Sequence, residues 1–281
     1  MIRQAIGCRL LSLLGLFLAT PSFAGAISGS GMNLTGNVET DFPSTSPGII
    51  TLENPKYPTT DPLGYLAAHN LSPGWSVKDV RLNYDTSSDT MYVGVNFFGI
   101  AGDADNNGVQ GTVTAENAAK GMIEYPHLGG RESISLGFDM ALQGTPSFLA
   151  GVPQDKSQAG TGLDGFKVAS YLPTNGGFAS SYGAQLQDHQ GQLYFDPSAA
   201  HPGFEFSIKN FSKFPGYDPA NGFGLVLYAG TPDDTLPEEG ALFPRVDGGR
   251  IPEPTTVLGW STVLLAGAAW RRSRKGRTSI A

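Results

Sequence analysis

The chain has 281 residues, 18 of them Lys or Arg and 25 Asp or Glu, for a formal net charge of −7. Two of the basic residues precede residue 25 and five follow Trp270, while only Glu253 among the acids lies beyond Arg250, so the stretch between carries 11 basic against 24 acidic side chains, near −13. Such a balance disfavours nucleic acid and anionic lipid as partners and suits divalent cations; the single cysteine, Cys8, excludes a disulfide framework.

Residues 1–24 read as a secretory signal peptide. Arg3 and Arg9 form its charged start, residues 10–19 its apolar centre, and Ser22-Phe23-Ala24 a small-x-small site for signal peptidase. Cys8 precedes the apolar centre, so it is expected to leave with the signal. Residues 25–243 are then expected to form one ectodomain, long enough for a sizeable core. Its 38-glycine, 20-proline punctuation, counted over the whole chain, suits short strands and many turns.

Residues 36–42 lead toward a first strand, residues 49–52 form the next, and the proline-rich residues 53–73 read as a long loop. Residues 75–83 alternate, although Val77 shares a side with Asp79 and Arg81. Residues 90–100 (TMYVGVNFFGI) have the density of β-branched and aromatic residues expected of a central strand buried on both faces. The two are expected to pair as a hairpin through the turn at residues 85–89. Residues 131–140 alternate as a half-buried strand; residues 144–165 read as loop; residues 166–172, 178–186, 192–195, 204–208 and 223–229 complete the set. About nine to eleven strands predict an all-β fold, a single β-sandwich of jelly-roll or immunoglobulin-like type.

Directly after the central strand stands Gly102-Asp103-Ala104-Asp105-Asn106-Asn107-Gly108-Val109. Oxygen-bearing side chains at alternate positions followed by glycine are what a hard cation needs, so Asp103, Asp105, Asn107 and the Val109 carbonyl are candidate calcium ligands. The twelfth position is Thr114, which excludes an EF-hand; Glu116 or acids of another loop, such as Asp233, Asp234, Glu238 and Glu239, would have to close the site. The competing reading is a metal-free turn, since Asp, Asn and Gly also favour turns for backbone reasons.

The spaced segments Gly36 to Phe42, Asp79 to Asp85 and Asp89 to Val95 resemble the family 9 carbohydrate-binding-module and DOMON-like sandwich. The resemblance implies a sandwich whose members bind sugars, haem or calcium on one face. For sugar contact, Trp75 is the one tryptophan of the ectodomain, with Tyr57, Tyr65, Tyr125, Tyr171 and Tyr182 in or beside loops. His69, His127, His189 and His201 are scattered and read as loop residues. No zinc helix, nucleophile elbow, phosphate loop or dinucleotide fingerprint occurs.

The C-terminus has three ordered parts. A linker, residues 244–254, ends in Pro252-Glu253-Pro254; residues 255–270 form an uncharged run; residues 271–281 carry Arg271, Arg272, Arg274, Lys275 and Arg277. As a helix the run would span about 24 Å at 1.5 Å per residue, a little short of the roughly 30 Å hydrocarbon core. It is expected to cross the membrane with the basic cluster in the cytoplasm. This arrangement resembles the PEP-CTERM sorting signal, which implies processing near Pro-Glu-Pro by an exosortase in bacteria that make exopolysaccharide. Two readings follow: an exported, non-enzymatic cell-surface or matrix protein stabilised by calcium and touching polysaccharide, or a secreted polysaccharide hydrolase or lyase.

Overall fold

A computed structural model describes residues 31–126, 128–154, 165–174, 177–198, 200, 202–231 and 239–246. The signal peptide, Pro252-Glu253-Pro254, the apolar run, the basic cluster, His127, His201, Asp233, Asp234 and Glu238 lie outside the described residues. Among the described residues no helix is long and apolar enough to cross a membrane.

Two antiparallel sheets enclose one core. In chain order the strands are β1 (Ile49–Glu53), β2 (Val77–Asp85), β3 (Thr90–Phe97), β4 (Ser133–Asp139), β5 (Phe148–Val152), β6 (Lys167–Tyr171), β7 (Tyr182–Gln185), β8 (Gln190–Phe195), β9 (Phe204–Lys209), β10 (Phe223–Gly230) and β11 (Glu239–Val246). The five-stranded sheet runs β1-β2-β3-β9-β8 and the six-stranded sheet β11-β10-β4-β5-β6-β7. The expected hairpin is β2-β3, with Leu82 opposite Val93 and Asp85 opposite Thr90.

The core follows from period-two alternation. Val80 and Leu82, Val93 and Val95, and Phe204 and Phe206 point inward from one sheet to meet Ile134, Leu136, Phe138, Leu225 and Leu227 of the other. At its centre Phe138 stacks on Phe148 (4.7 Å between ring centroids) and lies tilted against Phe223 (5.6 Å). A register shift between Val77 and Asp79 explains the imperfect faces of β2: the extra residue there turns Val77 into the core while Asp79 faces outward. Similar shifts interrupt the pairings β10-β11, β6-β7 and β8-β9, whereas β1 pairs with β2 in unbroken register.

Both outer faces are partly covered, which is why several strands are more buried than alternation alone predicts. Residues 36–42 are not a strand. Val38–Asp41 form a one-turn helix, α1, capped by the Asn37 side chain accepting from Thr40 N at 3.3 Å. It packs over β3, where a Cβ on Gly94 would lie 2.8 Å from Val38 Cγ1 and 2.9 Å from Phe42; only glycine admits that approach. The outward row Arg81, Gly94, Glu205 and Tyr194 runs across four strands beneath this cover. Leu34, Val38 and Phe42 make a second small apolar cluster above it.

The same cause corrects β4, expected to be half-buried. All seven of its residues are buried, because Phe178 lies against Gly137 and the Tyr182 hydroxyl donates to Ser135 at 2.9 Å. Phe178–Ser180 is a 3-10 turn rather than the start of a strand. The 53–73 loop contains α2 (Pro62–Ala68), whose Asp61 side chain accepts from Gly64 N at 2.9 Å; Asp-Pro is a helix start that the proline count hid. β5 lies in a stretch read as loop, and β11 runs to Val246, so the sheet continues past residue 243.

Candidate metal site

β3 ends on the rim of the sandwich, and the chain enters the acidic loop through Ala101, whose N–H donates to Pro202 O at 3.0 Å. Left-handed backbone at Gly102, Asn106, Gly108 and Gly111 folds the loop back on itself. At Gly111 a Cβ would stand 2.8 Å from Pro126 Cα, so the returning chain excludes any larger residue. The loop then enters α3 (Ala115–Ala119), a short Ala-rich helix, and returns through Glu124.

Three carboxylates meet there. One oxygen from each of Asp103, Asp105 and Glu124 lies within 4.8 Å of the others. Asp103 is 1% exposed, its oxygens accepting from Asn107 N (3.2 Å) and Gly108 N (2.9 Å). Asp105 accepts from Asn107 N (3.1 Å), Thr114 N (2.8 Å) and Asn117 Nδ2 (3.1 Å). Glu124 ties the two arms of the loop together, accepting from Asp105 N and Gly111 N, both at 3.0 Å.

The electrostatics are those of crowded like charges. Burial, reinforced by the negative charges of Asp103 and Asp105, pushes Glu124 up to about 7 despite its two N–H donors. Burial likewise raises Asp103 above the ordinary carboxylate range. For Asp105 burial acts upward too, but the hydrogen bonds from Thr114, Asn117 and Asn107 outweigh it and hold the group low. Among the described residues no Lys or Arg forms an ion pair with the three. A hard divalent cation would supply the missing positive charge, and an all-oxygen set without His or Cys fits calcium or magnesium rather than zinc.

The candidate ligands divide accordingly. Asp103 and Asp105 are brought together as expected. Asn107 is beside them but turned away: its Oδ1 accepts from Val109 N at 2.7 Å and its Nδ2 donates to Thr112 O at 2.6 Å. The Val109 side chain is exposed, and its carbonyl accepts from Thr112 Oγ1 at 3.5 Å. Glu116 does not close the site. It stands on the exposed side of α3 and pairs with Lys120 at 2.9 Å, one helical turn on. Glu124 takes the place expected of it. Its signal was an isolated acid between Met122-Ile123 and Tyr125-Pro126; folding buries Glu124, leaves Met122, Ile123 and Tyr125 partly covered and Pro126 exposed.

Trp75 is also corrected: at 2% exposure it belongs to the core and offers sugar no face. Tyr57 is buried, edge-on to Phe98 (5.1 Å) and Tyr65 (5.9 Å). Beside this cluster a shallow open groove of about 420 Å³ is lined by Pro62, Leu63, Phe98, Lys78, Asn96 and Glu39 among others. His69 stacks on Tyr65 and His189 on Phe214, each with Nδ1 within 3.0 Å of a backbone carbonyl, consistent with loop packing.

A scan against models of known protein families finds no match, and searches of curated proteins and of solved structures return no significant match.

Proposed function

We propose that this chain is an exported, non-catalytic cell-surface or extracellular-matrix protein, a jelly-roll or immunoglobulin-like sandwich stabilised by calcium at Asp103, Asp105 and Glu124. The observation that carries the calcium reading is the convergence of those three carboxylates without a cationic partner among the described residues. Export and sorting rest on the sequence of the two ends: signal peptidase acting after residue 24, and an exosortase-type enzyme at Pro252-Glu253-Pro254. Polysaccharide contact belongs to the same reading. It moves from Trp75 to the groove, where half-exposed Phe98 stands beside Lys78, Asn96 and Glu39.

The deciding experiment is a melting curve of the purified chain in EDTA, in excess calcium and in excess magnesium. A ligand present at a hundred times its dissociation constant adds about 2.7 kcal/mol, or roughly 5–10 °C for a domain of this size. The rise is expected with calcium, is abolished in Asp103→Ala and in Glu124→Gln, and survives in Glu116→Gln. Equal curves in EDTA and both cations would reduce the loop to a turn.

A further inference from the structure

The N-terminal segment of the described chain lies over the five-stranded sheet on two carboxyl groups that face each other. Glu205 projects from the outward face of β9 and is 0% exposed. Its Oε2 accepts from Gly36 N at 2.6 Å, while its Oε1, also buried, has no hydrogen-bond donor. Asp41, on α1, accepts from the preceding residue: Thr35 N at 2.5 Å and Thr35 Oγ1 at 2.7 Å, both to Oδ2. Two acids from distant parts of the chain thus hold consecutive backbone N–H groups, and their carboxyls come within hydrogen-bonding reach of each other.

Two carboxylates in contact, one buried and one partly buried, repel, and Oε1 is an acceptor with nothing to accept. A proton on Glu205 removes both defects, since the carboxyl can then donate to Asp41. We propose that a proton carried by Glu205 bridges to Asp41 and makes a pH-sensitive latch that holds residues 31–42 on the outer face of the sheet. Both strand neighbours of Glu205 leave the pair isolated. Gly94 has no side chain, and Tyr194 carries neither a carboxyl nor an amine. Arg81, one strand further, is committed to Asp79 at 2.8 Å and to Phe42 O at 2.7 Å. Of the other groups around the segment, Glu39 pairs with Lys78, Tyr92 sets its hydroxyl against Gly31, and the Asp196 backbone lies against Gly36.

The sign follows from linkage. Burial and the charge of Asp41 push Glu205 up to about 8 from its ordinary 4.5. A raised carboxyl binds its proton in the closed state and not in the open one, so the latch is strongest below pH 4.5. It weakens as pH rises toward 8, the opening constant growing up to tenfold per unit for one proton. Release would free Arg81 from Phe42 O and uncover the row Arg81, Gly94 and Glu205.

The test is amide hydrogen exchange of the full chain, in EDTA, read at Thr35 and Gly36 and corrected for intrinsic rates. Between pH 5.5 and 7.5 the opening constant is expected to rise by as much as about 100-fold. In Glu205→Gln, whose amide donates to Asp41 at every pH, and in Asp41→Asn, it should change less than about threefold. Glu124 is intact in all three chains, so its own titration cancels in the comparison. An equal rise in wild type and both variants would overturn the latch, as would a wild-type rise at Thr35 and Gly36 no larger than that at core amides such as Val93.

Discussion

Phe98 sits where β3 leaves the sheet, half-exposed, its ring edge-on to Tyr57 and one side open to the groove with Lys78, Asn96 and Glu39. If polysaccharide is held there, Phe98→Ala should weaken retention on immobilised exopolysaccharide by about fivefold or more, the loss expected when an aromatic anchor worth over 1 kcal/mol is truncated. Its melting point should fall only slightly; undiminished retention would remove the groove from consideration. Side chains such as this decide what the sequence could and could not disclose. Asp103 and Asp105 were legible because local spacing alone makes an oxygen-lined turn. Glu124 was not, because its place depends on the return of the chain after α3, and Glu116 attracted attention only by being nearer in sequence. Trp75 misled for a related reason: as the one ectodomain tryptophan, opening an alternating stretch, it offered an aromatic for sugar, yet it stands in the turn before β2 and packs into the core.

At the level of elements, the legible features were those with strong local periodicity or density: the β2-β3 hairpin, β9 and β10 all stand within a few residues of their expected positions. What escaped was the covering of the outer faces. Nothing local in Ser133, Ser135 or Gly137 announces that Phe178 and Tyr182 will lie over them, and the glycines that permit close approach read as turn residues. β5 and β11 were hidden in stretches dominated by Gly, Pro and acids, where pairing with a neighbouring strand, not propensity, makes the strand. Packing energetics follow the observed elements. Phe138 on β4 touches Phe148, Phe211 and Phe223, so Phe138→Ala should cost about 3–5 kcal/mol and lower the melting point by roughly 10 °C. A thermal melt in EDTA checks this without interference from any cation at the acidic loop, and a drop under about 3 °C would mean that the two sheets do not share this cluster as one core.

For the molecule as a whole, address and architecture are separable. The proposed address rests on the sequence of the two ends and is testable without reference to the fold. In a host with the matching processing enzyme, a chain with Glu253→Ala and Pro254→Ala should stay with the inner membrane, while wild type reaches the surface or medium shortened by about its last thirty residues. Fractionation with intact-mass measurement reads both outcomes, and identical distribution and mass of the two chains would sink the sorting claim.

The interrupted strand pairings bear on how such molecules behave when packed side by side. A sheet rim displays unused amide and carbonyl groups and can recruit the rim of another molecule. At β11, β7 and β8 the local kink spoils the even spacing that such recruitment needs, because a bulged strand twists away from a straight partner. Among the described residues only β1, five residues in unbroken register, keeps an even rim. Counting the described strands, a crowd of these sandwiches therefore has one template for strand exchange per molecule, enough for pairs rim to rim but too few for an endless ribbon.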